Sequence, residues 1–179
     1  MEAIVADILA DVRANGDKAV LNYNLKFDKA ELTTLLVSQE EIDEAFETVD
    51  PEFLAILEQA AENIRNFHSK QVRNSFVIAD KPGIVLGQKV TPIEKVGVYV
   101  PGGTAAYPST VLMDTIPAKI AGCPTIVMVT PPGKDGKINP VILAAAKIAG
   151  VDMSTPAPVN SALEIFGELI TELEQLVED

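Results

Sequence analysis

The stretch from Val98 to Thr104 is the part of this 179-residue sequence with the clearest chemical potential. It reads Val-Tyr-Val-Pro-Gly-Gly-Thr and joins an apolar predicted strand to a predicted helix. Gly102 and Gly103 would let backbone N–H groups approach a phosphate, and a helix N-terminus adds partial positive charge. The stretch is neither a G-x-G-x-x-G fingerprint nor a P-loop, which requires a lysine. From the residues alone, a phosphate-binding loop and a plain tight turn after Pro101 both stay open.

Tyr99 would stand at the carboxyl end of that strand, where open α/β sheets bind their ligands. Its ring has the shape to stack on a base. A core position with only the hydroxyl at the surface is an equally physical reading of the same residue. The two alternatives cannot be separated by sequence pattern.

Few other side chains in the sequence could take part in catalysis or bind a metal ion. His68 is the single histidine and Cys123 the single cysteine, so a zinc site of the usual His/Cys type cannot be assembled from this sequence. His68 has no nucleophile near it in the sequence, which argues against Ser-His-Asp and Cys-His arrangements. We therefore predict no catalytic residue and no metal ligand, and a structural role for His68.

Composition narrows the class of protein. A lone cysteine suits a reducing compartment. No stretch of the sequence approaches the roughly 20 apolar residues that cross a bilayer, and the N-terminus does not resemble a signal peptide. The cytoplasm is the default expectation. The net charge is −12, and from Val151 onward there are seven acids and no lysine or arginine, which leaves −5 for the first 150 residues. Without a basic stripe, nucleic-acid binding is not expected.

The chain must position the glycine loop with an α/β fold. Helical periodicity predicts a first helix ending at Gly16 and a short one from Asp17 to about Phe27. Capping signals predict helices that begin after Ser38, Asp50 and Asn139, the last of them ending at Gly150. A further helix is predicted from about Pro108 to Ala121, with Gly122 as its stop. Apolar runs predict strands at Thr33–Val37, Ser75–Ala79, Ile84–Val90, Lys95–Val100 and Thr125–Thr130.

This order predicts N-terminal helices with a small hairpin over residues 1–94 and an incomplete Rossmann-like βαβα unit over residues 95–151. The run Thr125–Thr130 is continuously apolar, which predicts a parallel strand covered on both faces. Residues 152–179 form a third part, a Pro-rich linker followed by an acidic amphipathic helix. Leu163, Phe166, Ile170, Leu173 and Val177 follow a 3-4-3-4 spacing, which predicts one narrow apolar seam.

Several strings together resemble one family. They are Asp11-Val12-Arg13, Asn15-Gly16-Asp17, Phe67-His68-Ser69-Lys70-Gln71, Val96–Gly103, Tyr107–Met113, Ile116–Gly122 and Asn139-Pro140. In this order, over roughly residues 2–151, they are similar to the N-terminal portion of histidinol dehydrogenase. From Met153 onward we find no resemblance to that family.

The resemblance implies an NAD- and zinc-dependent oxidation of L-histidinol to L-histidine in a cytoplasmic homodimer. The tyrosine of the family's Y-V-P-G-G string contacts the dinucleotide, and Tyr99 matches it. The resemblance therefore implies Tyr99, Pro101, Gly102 and Gly103 as residues of a weak or vestigial NAD site.

The departures from the family are as informative. Its zinc ligands (a Gln, an Asp and two His) and its Glu-His base lie beyond the matched residues. We expect a truncated form without dehydrogenase activity of its own. The alternatives are a weak dinucleotide-binding module, or an assembly module whose acidic tail covers a bare sheet edge or pairs two chains.

Overall fold

The computed structural model describes residues 2–101 and 106–152, and it has the expected α/β fold. The helices are α1 (Glu2–Asn15), α2 (Asp17–Tyr23), α3 (Gln39–Thr48), α4 (Pro51–His68), α5 (Pro108–Ala121) and α6 (Pro140–Ala149). The strands are β1 (Phe76–Lys81), β2 (Ile84–Gln88), β3 (Lys95–Tyr99) and β4 (Thr125–Val129). A π-helical turn, Asn24–Asp28, extends α2, and a 3₁₀ turn, Ser69–Gln71, extends α4. No helix of this described part is long and apolar enough to span a membrane.

The helix boundaries confirm the capping signals. Ser38 Oγ accepts a hydrogen bond from the Glu41 N–H, and the Glu41 carboxylate accepts one from the Ser38 N–H, which completes a capping box. Asp50 and Asn139 each accept from the backbone N–H two residues on and are followed by proline. Gly122 and Gly150 end α5 and α6 in the left-handed conformation that glycine adopts most readily.

The predicted strand at Thr33–Val37 is wrong. These residues are irregular, and neither two-stranded sheet includes them. Thr34 Oγ1 accepts a hydrogen bond from the Leu36 N–H at 3.2 Å, a local contact that competes with strand pairing. The β-branched composition suggests a strand, but in the described structure this segment pairs with no other strand.

β1 and β2 form the predicted hairpin. They are antiparallel, with Phe76 opposite Gln88 and Ile78 opposite Leu86, and a positive-φ glycine, Gly83, makes the turn. Every residue of both strands is exposed. The side chains that share a face with Phe76, Ile78 and Leu86 are therefore not covered by any other described element.

β3 and β4 are parallel, with Val98 opposite Met128 and Tyr99 opposite Val129. One face of this pair carries Val98, Val100 and Ile126, and all three are buried. They form the core with residues of α4, α5 and α6, namely Leu57, Ala61, Val111, Leu112, Ile116, Ile142, Ala145 and Ala146. The helices thus cover this face of the two-stranded sheet.

The opposite face is only partly covered. Val127 and Val129 are half-buried and Tyr99 is exposed, so the expectation that β4 is buried on both faces is wrong for the described residues. A doubly wound sheet needs a helical layer on each face. Here the second face instead borders a groove. The predicted linker and acidic helix at 153–179 lie outside the described residues.

Candidate functional site

Tyr99 is the last residue of β3 and is 58% exposed. Successive side chains of a strand point to opposite faces, so Tyr99 turns away from the core that takes Val98 and Val100. The alternative in which Tyr99 is a core residue is therefore wrong. The ring stands free at the carboxyl end of a parallel strand, which is where such sheets bind ligands.

Pro101 lies two residues beyond the end of β3 and is exposed. The Val100 N–H donates to the Val129 carbonyl at 2.9 Å, so the pairing with β4 continues one residue beyond β3. Gly102 and Gly103 lie outside the described residues. The chain is described again from residue 106, and α5 begins at Pro108 with no side-chain cap from Tyr107.

A groove of about 790 Å³ runs along β4 on the face that carries Tyr99. Tyr99, Val127, Val129 and Thr130 form the sheet wall. The opposite wall comes from α2, the π-helical turn and the irregular segment after it, including Val20, Asn24, Phe27, Leu32, Leu35 and Val37. The volume lies within the range typical of small-molecule sites.

The charges on this groove are negative. Asp28, Glu31, Glu41, Asp135 and Asp152 line it, and no lysine or arginine does. The groove can therefore accept an apolar or aromatic ring beside Tyr99, and its carboxylates can accept hydroxyl hydrogen bonds. Its described lining offers no cation to neutralise a phosphate.

Asp152 lines the groove near the amino-terminal end of β4. Its carboxylate accepts two hydrogen bonds from Lys119 Nζ, each 2.8 Å long, and one from the Ile126 N–H at 3.0 Å. The Asp152 N–H donates to the Ile126 carbonyl at 3.1 Å. The sequence pattern places this residue with the acidic C-terminal segment, whereas its contacts in the structure are with β4 and α5.

His68 does not build a metal centre. One ring nitrogen lies 2.7 Å from Gln71 Oε1, and the ring packs edge-on against Phe67 at the exposed end of α4. In the part of the chain that the structure describes, no three His, Cys, Asp or Glu side chains come together as a metal site would need. Cys123 is buried. The residues present do not fit a zinc ion.

The structure thus places Tyr99 on the wall of the groove. Pro101 is exposed and is not among the residues that line the groove, and His68 lies at the exposed end of α4, also outside the lining. The second wall of the groove could not be predicted from the sequence, because an irregular segment has no hydrophobic periodicity that would indicate its position. Sequence reasoning also missed Asp152, whose partners lie 26 and 33 residues away.

Several known proteins similar to this chain belong to one family. The family model described as histidinol dehydrogenase matches residues 1–155. The histidinol dehydrogenase of Clostridium acetobutylicum is 49% identical over 173 residues, which cover 95% of this chain and 40% of that protein. The Bacillus subtilis enzyme is 52% identical over 147 residues, covering 82% of this chain and 34% of that protein.

The fold agrees with a solved structure. Histidinol dehydrogenase from Elizabethkingia anophelis superposes with a TM-score of 0.80 at 43% identity, over 84% of this chain and 35% of that one. The chain thus spans about 35–40% of the length of the relatives it matches.

The matches end at different points of the chain. The family model stops at residue 155, close to where the resemblance ends, whereas the Clostridium match leaves out only 5% of the chain and so includes part of segment 153–179. With a family match across residues 1–155 and a TM-score of 0.80 over 84% of its length, this chain belongs to the histidinol dehydrogenase family.

Proposed function

We propose that this chain contributes a dinucleotide-contacting wall of a histidinol dehydrogenase, with Tyr99 as its principal contact to NAD. The observation that supports this most is the exposed Tyr99 ring at the carboxyl end of β3, beside an apolar groove. Pro101 would shape the turn after it. Gly102 and Gly103 would offer backbone N–H groups to the phosphates.

The described residues fit the ring portions of NAD better than its pyrophosphate. Tyr99 and the valines of β4 provide an aromatic and apolar surface, whereas the lining of the groove is acidic and has no cation. Repulsion between these carboxylates and a pyrophosphate weakens binding, which favours a weak site. When bound, NAD supplies the hydride acceptor for alcohol oxidation.

We further propose that this chain, by itself, does not oxidise histidinol. The family's reaction uses two histidine ligands and a histidine in its base, whereas this sequence has only His68, which contacts Gln71. The described residues do not fit zinc, so no step is assigned to it.

Calorimetric titration of the purified chain with NAD tests the binding role. We expect saturable heat, which Tyr99→Ala removes and Tyr99→Phe largely retains, because ring stacking needs the π face and not the hydroxyl. Tyr99 is more than half exposed, so neither substitution should unfold the chain. Absence of heat from the unmodified chain, or equal binding by Tyr99→Ala, would refute the proposed contact.

An absorbance assay for NADH tests the second proposal. The chain with NAD, histidinol and zinc should give no NADH above the blank. NADH formation that depends on histidinol and stops with a chelator would refute it.

A second role, assembly, is also proposed, since β1 and β2 are exposed on both faces. The homodimer and the cytoplasmic location rest on the family alone. Light scattering after size-exclusion chromatography measures the mass of the particle and so tests the homodimer directly. A mass of one chain at every protein concentration would exclude the dimer.

A further inference from the structure

The hairpin β1–β2 is apolar on a face that nothing described covers. Phe76, Ile78, Ile84 and Leu86 are between 43% and 64% exposed. Phe76 lies opposite Gln88 and Ile78 opposite Leu86, so these side chains share one face, whereas Val77, opposite Gly87, and Val85 belong to the other. An isolated two-stranded hairpin is at best marginally stable in water. We therefore expect another segment to pack on this apolar face of the hairpin.

The hairpin region is also the positive part of an acidic protein. Residues 70–95 include Lys70, Arg73, Lys81, Lys89 and Lys95 but only two acids, Asp80 and Glu94, a net charge of +3 in a chain of −12. In the described structure the ion pairs lie elsewhere, and none of these five cations takes part in one. The same face of a second hairpin would be repelled, whereas an acidic amphipathic segment is attracted.

One such segment belongs to this chain. Residues 163–177 combine the apolar 3-4-3-4 seam with flanking glutamates, and residues 153–179 contain six acids and no lysine or arginine. Its apolar residues could cover the exposed apolar face of the hairpin, and its negative charge is complementary to the positive charge of residues 70–95.

The last described residue, Asp152, and the segment that follows the hairpin are both close to the C-terminal end of α5. Asp152 is bound to Lys119 in the last turn of α5. Pro92, just after β2, lies beside Gly122 at the end of the same helix, 3.8 Å from where a Gly122 side chain would begin. Ten residues, 153–162, can span up to about 33 Å, which exceeds the roughly 20 Å length of the hairpin strands.

We propose that residues 163–177 of this chain pack on the Phe76–Ile78–Leu86 face of its own hairpin, held by the apolar seam and by attraction between its glutamates and the cations of residues 70–95. Covalent connection favours this arrangement over pairing with another copy, because a segment attached through only ten residues has a high effective concentration at a surface of its own chain. The proposal is independent of NAD binding.

Disulfide trapping in the full-length chain tests the contact. Leu86→Cys with Ile170→Cys joins the centre of the proposed face to the centre of the seam. Val85→Cys with Ile170→Cys is the matched control on the opposite face, and Leu86→Cys with Glu172→Cys is the control off the seam. Leu86 and Val85 are 64% and 70% exposed, so the substitutions should not unfold the chain, and Cys123 is buried.

We expect an intramolecular disulfide in the first variant, formed at least about tenfold faster than in either control, since a disulfide needs the two Cβ atoms close together. Its rate should not depend on protein concentration. Lys81→Glu with Lys89→Glu in the same background should slow it severalfold at low salt, where charges are least screened. Equal rates on both faces would overturn the proposal, and so would cross-links only between chains.

Discussion

Tyr99 lies between two buried valines, and its exposure follows from strand geometry. Val98 and Val100 fill the core beneath the helices, so the residue between them must face the groove. Substituting either valine by a polar residue would disturb folding, whereas Tyr99 can be changed with little effect on stability. This separation makes Tyr99 a clean probe of binding.

At the same scale, Asp43 gives the fold a pH dependence. Asp43 Oδ1 accepts hydrogen bonds from Lys147 Nζ at 2.7 Å and from Gln39 Nε2 at 3.1 Å, and these partners lower the pKa of Asp43. A carboxyl whose pKa is lower in the folded state stabilises it above the unfolded pKa, about 3.9. That contribution is lost as the pH falls through the lowered folded value.

We therefore expect Asp43→Asn to lower the melting temperature slightly at pH 7 and to have almost no effect near the acid end of the titration. The effect is small because both side chains are about half exposed, and salt should reduce it further. Thermal unfolding followed by circular dichroism across this pH range measures it. A difference that stays constant with pH would contradict the assignment.

At the scale of elements, the C-terminal end of α5 is stabilised by Gly122. Gly122 has φ 87°, and its N–H donates to the carbonyls of Ala118 and Lys119. An added Cβ would meet only Pro92, at an ordinary 3.8 Å. The cost of a side chain here is thus conformational and not steric.

We expect Gly122→Ala to lower the free energy of unfolding by about 1–2 kcal/mol, the cost of the left-handed region for an ordinary residue. Gly122→Asn should cost less, because asparagine visits that region more readily. Urea denaturation of the three proteins gives the values. If alanine and asparagine behaved alike, conformational strain would not be the cause.

Local signals explain which elements could be predicted. The Ser38–Glu41 box and the Gly122 stop act within a few residues of chain, so sequence specifies them, and the helices begin and end where these signals lie. Thr33–Val37 shows the limit. Its β-branched residues suit a strand, but a strand also needs a partner edge, and that depends on how distant parts of the chain arrange.

At the scale of the molecule, the two faces of the β3–β4 pair are unequal. One supports the core with α4, α5 and α6, and the other borders the groove. The position of Tyr99 beside that groove could be predicted from the strand and the family's string. The groove's second wall could not, because it is built from a π-helical turn and irregular backbone.

A chimera tests whether this unit still serves an enzyme. We expect the Clostridium acetobutylicum histidinol dehydrogenase with its matching N-terminal residues replaced by residues 2–152 of this chain to produce NADH from histidinol. Tyr99→Ala in the chimera should raise the KM for NAD more than it lowers kcat, since the ring would bind the cofactor and not the reacting atoms.

The unmodified Clostridium enzyme, measured in parallel, is the control. A folded chimera that binds NAD but does not oxidise histidinol would show that this unit no longer supports the family's reaction. A Tyr99→Ala chimera with unchanged KM would argue against the cofactor contact.

The hydrogen bond from the Asp152 N–H to the Ile126 carbonyl has a consequence for self-association. The Ile126 N–H in turn donates to the Asp152 carboxylate, so both backbone hydrogen-bonding groups of Ile126 are occupied within the chain. A strand edge recruits further chains through backbone groups that lack partners. Asp152 thus removes one such attachment point from the edge of β4 and opposes templated aggregation there.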